Sequence, residues 1–97
     1  ADAQFNRARL ASGEGDMATA RRLYTDAARQ GHGLARFNLA LALLNGDAKA
    51  APVEALAWLM LAAEQDVANA AAAARQLAAA LTPDERAEAA RLAETLR

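Results

Sequence analysis

This chain contains no cysteine and no isoleucine, and it has only two prolines, four aromatic residues and one histidine among its 97 residues. Without cysteine there can be no disulfide and no thiolate chemistry, which leaves the compartment open. With only two valines and four threonines beside the missing isoleucine, the chain has little of what β-strands favour. Nor does any stretch approach the ~20 consecutive apolar residues that a membrane-spanning helix needs. No secretory leader is recognisable, and a first residue Ala1 without methionine reads as an excised or processed piece. The net charge of −1 does not supply the basic field by which proteins engage nucleic-acid phosphates. Residues 1–49 carry seven Lys/Arg against five Asp/Glu, and residues 50–97 carry four against seven. That imbalance is too slight to steer a partner by itself.

What remains is largely alanine, 31 of 53 apolar residues. Alanine and leucine are strong helix formers, so the chain is expected to be all-α. Six segments carry helical signals. The first covers residues 2–12 and stops at Gly13 and Gly15. Asp16 is suited to N-cap a second that runs to Gln30. Gly31-His32-Gly33 reads as a tight turn, and a third helix from Leu34 to Leu44 ends at Asn45-Gly46. The fourth holds Glu54 to Gln65, with Pro52 in its first turn. Asp66 marks the next turn, and a fifth helix continues to Leu81. Thr82-Pro83-Asp84-Glu85 is a capping-box start for the sixth. The connections are short, so consecutive helices are expected to lie antiparallel.

The chain also nearly repeats itself. Ala3-Gln4-Phe5-Asn6-Arg7-Ala8 returns as Ala35-Arg36-Phe37-Asn38-Leu39-Ala40. Ala20, Ala27, Ala28, Gln30 and Ala35 return 35 positions later as Ala55, Ala62, Ala63, Gln65 and Ala70. A period in the thirties with small residues at helical spacing is the signature of stacked helical hairpins, which bury their apolar faces against one another.

The pattern Ala20-x-x-Leu23-Tyr24-x-x-Ala27-Ala28-x-Gln30-Gly31-His32-x-x-Ala35, followed by Asn38-Leu39-Ala40 and Gly46, resembles the Sel-one-like repeat, a relative of the tetratricopeptide repeat. Ala55-x-x-Trp58-Leu59-x-x-Ala62-Ala63-x-Gln65 looks like a second copy. The resemblance implies a right-handed α-solenoid of antiparallel hairpins. Residues 1–14 would form a half repeat, 16–46 a full repeat, 51–81 a divergent repeat and 83–97 a capping helix. Two departures stand out: the family's glycine is Asp66 in the second copy, and its small residue is lost in the alanine run 70–74. Members of the family are adaptors and scaffolds, often in bacterial envelopes or signalling assemblies. The resemblance therefore implies a protein or peptide partner, or a structural, self-associating segment of a larger bacterial envelope or polarity protein, in the periplasm or cytoplasm.

No catalytic, cofactor or metal constellation is legible. His32 is the only histidine, and nothing near it in sequence completes a triad or a metal site. Gly13-x-Gly15 precedes no strand and lacks a third glycine, so it is a helix stop. The helix faces carry more information. On the second helix, Ala20, Leu23, Tyr24, Ala27 and Ala28 form a core stripe, while Arg22, Thr25, Asp26 and Arg29 face the other way. The equivalent outer positions of the fourth helix are Ala57, Met60, Leu61 and Glu64. Something must cover those apolar residues, either the sixth helix through Ala89, Leu92, Ala93 and Leu96 or a partner, a second copy or a longer parent protein. The family's concave face would place Arg22, Thr25 and Arg29 with Ala57, Met60 and Leu61 as a peptide-binding groove. The competing reading has Arg22 and Arg29 simply bracketing Asp26 in surface ion pairs.

Overall fold

A computed structural model describes residues 2–45 and 51–97. Gly46, read above as the end of the full repeat, lies outside the described residues. Among these, six helices and no strand are present: α1 (Asp2–Gly13), α2 (Met17–Arg29), α3 (Gly33–Asn45), α4 (Ala51–Glu64), α5 (Ala70–Ala80) and α6 (Pro83–Leu96).

The joints explain where the helices stop and start. At the end of α1, Gly15 takes a left-handed φ of 83°. Its N–H bonds Ser12 O at 3.1 Å while that of Asp16 reaches back to Ala11 O at 2.9 Å. This pair of bonds satisfies carbonyls that a helix end would otherwise leave orphaned. Asp16 then caps α2, its carboxylate accepting from Thr19 N–H at 3.2 Å. The same joint recurs after α2. Gly31 sits at φ 88°, its N–H bonds Ala28 O, and that of His32 bonds Ala27 O. His32 next caps α3, with Nδ1 accepting from Ala35 N–H at 3.1 Å.

The third occurrence follows α4, 35 residues further on. Asp66 takes the left-handed position at φ 59°, and the N–H groups of Asp66 and Val67 bond Ala63 O and Ala62 O. Val67 has no acceptor with which to start a helix. The chain makes one more turn, through Asn69 at φ 70°, and α5 begins only at Ala70, later than the sequence signals suggest. At α6 the expected capping box is complete. Thr82 N–H bonds the Glu85 carboxylate at 2.9 Å, and Glu85 N–H bonds the Thr82 hydroxyl at 3.1 Å, with Pro83 at the first helical position.

Each helix packs on the next from α1 through α5, whereas α6 packs back on α4. The polar contacts show that neighbours run antiparallel. Gln30, at the end of α2, donates to Gln4 at the start of α1 (2.7 Å). Arg36, at the start of α3, donates to Gln65 at the end of α4 (2.8 Å) and to Ala28 O (3.1 Å). Gln65 in turn donates to Gly31 O at 2.8 Å, which brings two joints side by side. At Gly33 an added Cβ would come within 2.9 Å of Val67 Cγ2, so the absence of a side chain there permits the close approach.

The core runs through α4. Trp58, Leu59 and Leu61, with Leu39 of α3, are its largest fully buried side chains. Alanines line the contacts on α1 through α4 and on α6, letting backbones approach. Phe5 of α1 stacks on the His32 ring at 4.5 Å and lies tilted against Tyr24 at 5.8 Å, covering the joint after α2 with aromatic area. The radius of gyration, 12.5 Å, is what a compact domain of this length has, about 12–13 Å.

Candidate interaction surfaces

On α2, Ala20, Leu23, Tyr24, Ala27 and Ala28 are all buried, which leaves the opposite face to solvent. Arg22, Asp26 and Arg29 are exposed there. Thr25 is half-buried and donates its hydroxyl hydrogen to Arg21 O at 2.7 Å. Among the described residues Arg22 and Arg29 form no ion pair with Asp26. The bracketing read from sequence does not form, and both guanidiniums stand in solvent. Arg22 also lies close enough to Asp16 to help hold that carboxyl below its ordinary range, after the larger effect of the hydrogen bond from Thr19.

The fourth helix departs from the expected groove. Ala57 and Leu61 are both 0% exposed. The reason is packing: α4 is the one helix that touches α3, α5 and α6 together. Ala89 and Ala93 of α6 are buried, and Leu92 and Leu96 pack on the core. Beyond them, Arg97 ties the end of α6 to Glu64 and Glu94. Ala57 and Leu61 are therefore core residues and cannot meet a partner. Of the six residues expected to form a groove, Arg22, Thr25 and Arg29 lie on α2, and Met60 is the one residue of α4 still reachable.

Met60 opens onto a different feature. A cavity of about 270 Å³ lies between α4, α5 and α6, lined by Leu56, Met60, Ala74, Arg75, Ala78 and Arg86. It exists because α6 covers α4 without lying along α5. Only Leu81 and Thr82 separate the two helices, and Arg86 pins that joint by donating to Ala78 O at 3.0 Å and Leu81 O at 2.7 Å.

A second feature escaped the sequence reading. Leu34, Leu41 and Leu44 on α3 are 51%, 37% and 39% exposed, and Phe37 between them is half-buried. Their spacing of three and four residues puts them on one stripe of the helix. The signal was present in the unbroken apolar character of residues 39–44, which one buried face cannot absorb. With Leu10 of α1 at 65%, these are the large apolar side chains that the described chain leaves in water.

Burial raises the Tyr24 phenol above its ordinary 10.0 against the opposing charge of Arg9, keeping it neutral at its place in the core. Burial likewise lowers Arg36, while Glu64 works the other way. Among the described residues no three acidic or histidine side chains converge where a metal ion would sit. None of the described helices is long and apolar enough to cross a membrane. No family model, no curated protein and no solved structure matches this chain.

Proposed function

We propose that this chain is a protein–protein interaction module, a short right-handed α-solenoid of the Sel-one-like repeat kind that presents helix faces to a protein or peptide partner. The observation that carries the reading is the apolar stripe of Leu34, Phe37, Leu41 and Leu44 on α3. Contiguous apolar surface in water is costly to keep and marks places where another surface docks. The recurrence of one left-handed turn at Gly15, Gly31 and Asp66 supports the hairpin-repeat class, and such arrays serve as binding scaffolds. The exposed guanidiniums of Arg22 and Arg29 offer a second, polar contact face.

The alternative is that the stripe serves a second copy of the chain, as in a self-associating segment of a larger bacterial envelope or polarity protein. Analytical ultracentrifugation over a wide concentration range separates the two: the partner reading expects a monomer throughout, and a reversible dimer would favour self-association. A partner recovered from the native host is then reconstituted with the purified chain. The double substitution Leu34→Glu with Leu41→Glu should abolish binding, and Arg22→Glu with Arg29→Glu should weaken it. Full binding by both variants, with unchanged helicity, would sink the reading.

A further inference from the structure

We propose that the wedge between α5 and α6 is a socket for one large apolar side chain of an acidic peptide. This deepens the module reading and rests on it. The wedge has a structural cause. α5 and α6 both lean on α4 but scarcely touch each other, so Leu56 and Met60 of α4 lie between residues of the two helices. α5 contributes Ala74 and Ala78, side chains too short to fill the gap.

Size and charge select the occupant. At about 270 Å³ the cavity falls just short of the ~300–1,000 Å³ of clefts that enclose drug-sized ligands. It matches an anchoring side chain, the element that dominates many peptide interfaces. The exposed lining is almost wholly apolar, so its two arginines reach it through their stems and their charges stand outside it, at the rim. Arg86 already serves the α5 carbonyls. Arg75 is exposed and makes no hydrogen bond or ion pair among the described residues, so its charge is available. Of the acidic residues that open α6, Glu85 is turned to the Thr82 backbone, and Asp84 does not line the cavity. A carboxylate flanking the anchor would meet Arg75 at the rim, where charge complementarity sets specificity. A second copy would have to offer Leu10 of α1 with Glu14 one turn on, and a dimer that Ala74→Leu abolishes would overturn the peptide.

The test is a titration of the isotope-labelled chain, followed by backbone amide NMR, with a short acidic peptide bearing one central phenylalanine between glutamates. Saturable shifts are expected at the amides of residues 56, 60, 74, 75, 78 and 86. Replacing the peptide's phenylalanine by alanine, or filling the wedge with Ala74→Leu, should abolish them. Arg75→Glu, an exposed change that leaves the fold alone, should weaken binding roughly tenfold or more. The wedge is overturned by any of three outcomes: no saturable shift at those amides, equal binding of a peptide with glutamine for glutamate, or binding by free 3-phenylpropionate but not by the peptide. Failure here with Leu34- and Leu41-dependent partner binding intact would remove the socket and leave the module. Loss of both would remove the module as well.

Discussion

The joint after α2 and the joint after α4 begin as the same structure and end differently. Both turn on a left-handed residue, Gly31 or Asp66, and both return two N–H groups to the same pair of carbonyls. Then His32 offers Nδ1 to Ala35 N–H, and α3 starts at once. Val67 offers nothing, and α5 starts three residues later. The acceptor sets where the helix restarts rather than whether it does, since α5 begins after Asn69 with no side-chain cap, and an acceptor at the joint serves N–H groups that have no partners within the helix. The joint after α2 is stitched on both sides, by Gln30–Gln4 back to α1 and by Arg36–Gln65 across to the end of α4. The joint after α4 leads into α5, and both α5 and α6 pack on α4 while scarcely touching each other.

The largest expected effect concerns α4, where the two regions meet. Leu61→Ala should cost about 2–5 kcal/mol, as for a fully buried leucine, whereas Leu34→Ala on the exposed stripe should stay within about 0.5 kcal/mol. Urea unfolding of both variants checks this, and equal costs would return Leu61 to the surface. Next is the cap that distinguishes the joints. His32→Ala should cost about 1–2 kcal/mol through the lost N-cap and the lost Phe5 stack. His32→Asn should recover the capping share, and a null effect of both would mean that the cap does not hold α3.

The left-handed positions permit a paired test of smaller size. Gly31→Ala should destabilise by about 1–2 kcal/mol, since a Cβ resists that conformation. Asp66→Gly should stabilise by up to about 1 kcal/mol at the equivalent place. Effects of the same sign at both would break the equivalence of the joints. The smallest effect is read against pH. The Asp16 carboxyl lies below its ordinary 3.8, chiefly through the bond from Thr19. A lowered carboxyl contributes stability above the unfolded value and loses it as pH falls through the folded one. The cap of α2 should therefore weaken only below 3.8. Asp16→Asn keeps an acceptor oxygen without a titrating group, so denaturation midpoints should fall less steeply on acidification below that point.

Local chemistry was legible. Asp16 and the Thr82–Glu85 box were readable as caps because capping depends on residues three apart in sequence. The core stripe of α2 followed from its period. Ala57 and Leu61 could not be placed in the same way. Helix periodicity showed that α4 is apolar nearly all round, yet an apolar face looks the same whether α6 or a partner covers it. The delayed start of α5 was missed because Asp66 alone looked like a complete turn, and the consequence of Val67 following it depends on hydrogen bonds that pattern does not display. The stripe on α3 was visible as an excess of leucine but not as exposure.

The order of α, the positions of the caps and the near-repeat were thus set by sequence alone, since each arises from contacts within a few residues or from composition. Only the tertiary structure decided that α6 closes over α4, that Ala57 and Leu61 belong to the core, and that α5 and α6 leave a wedge between them. Those outcomes depend on how far apart helix axes settle when alanines meet alanines and a two-residue joint fixes an angle, and no single segment of the chain carries that information.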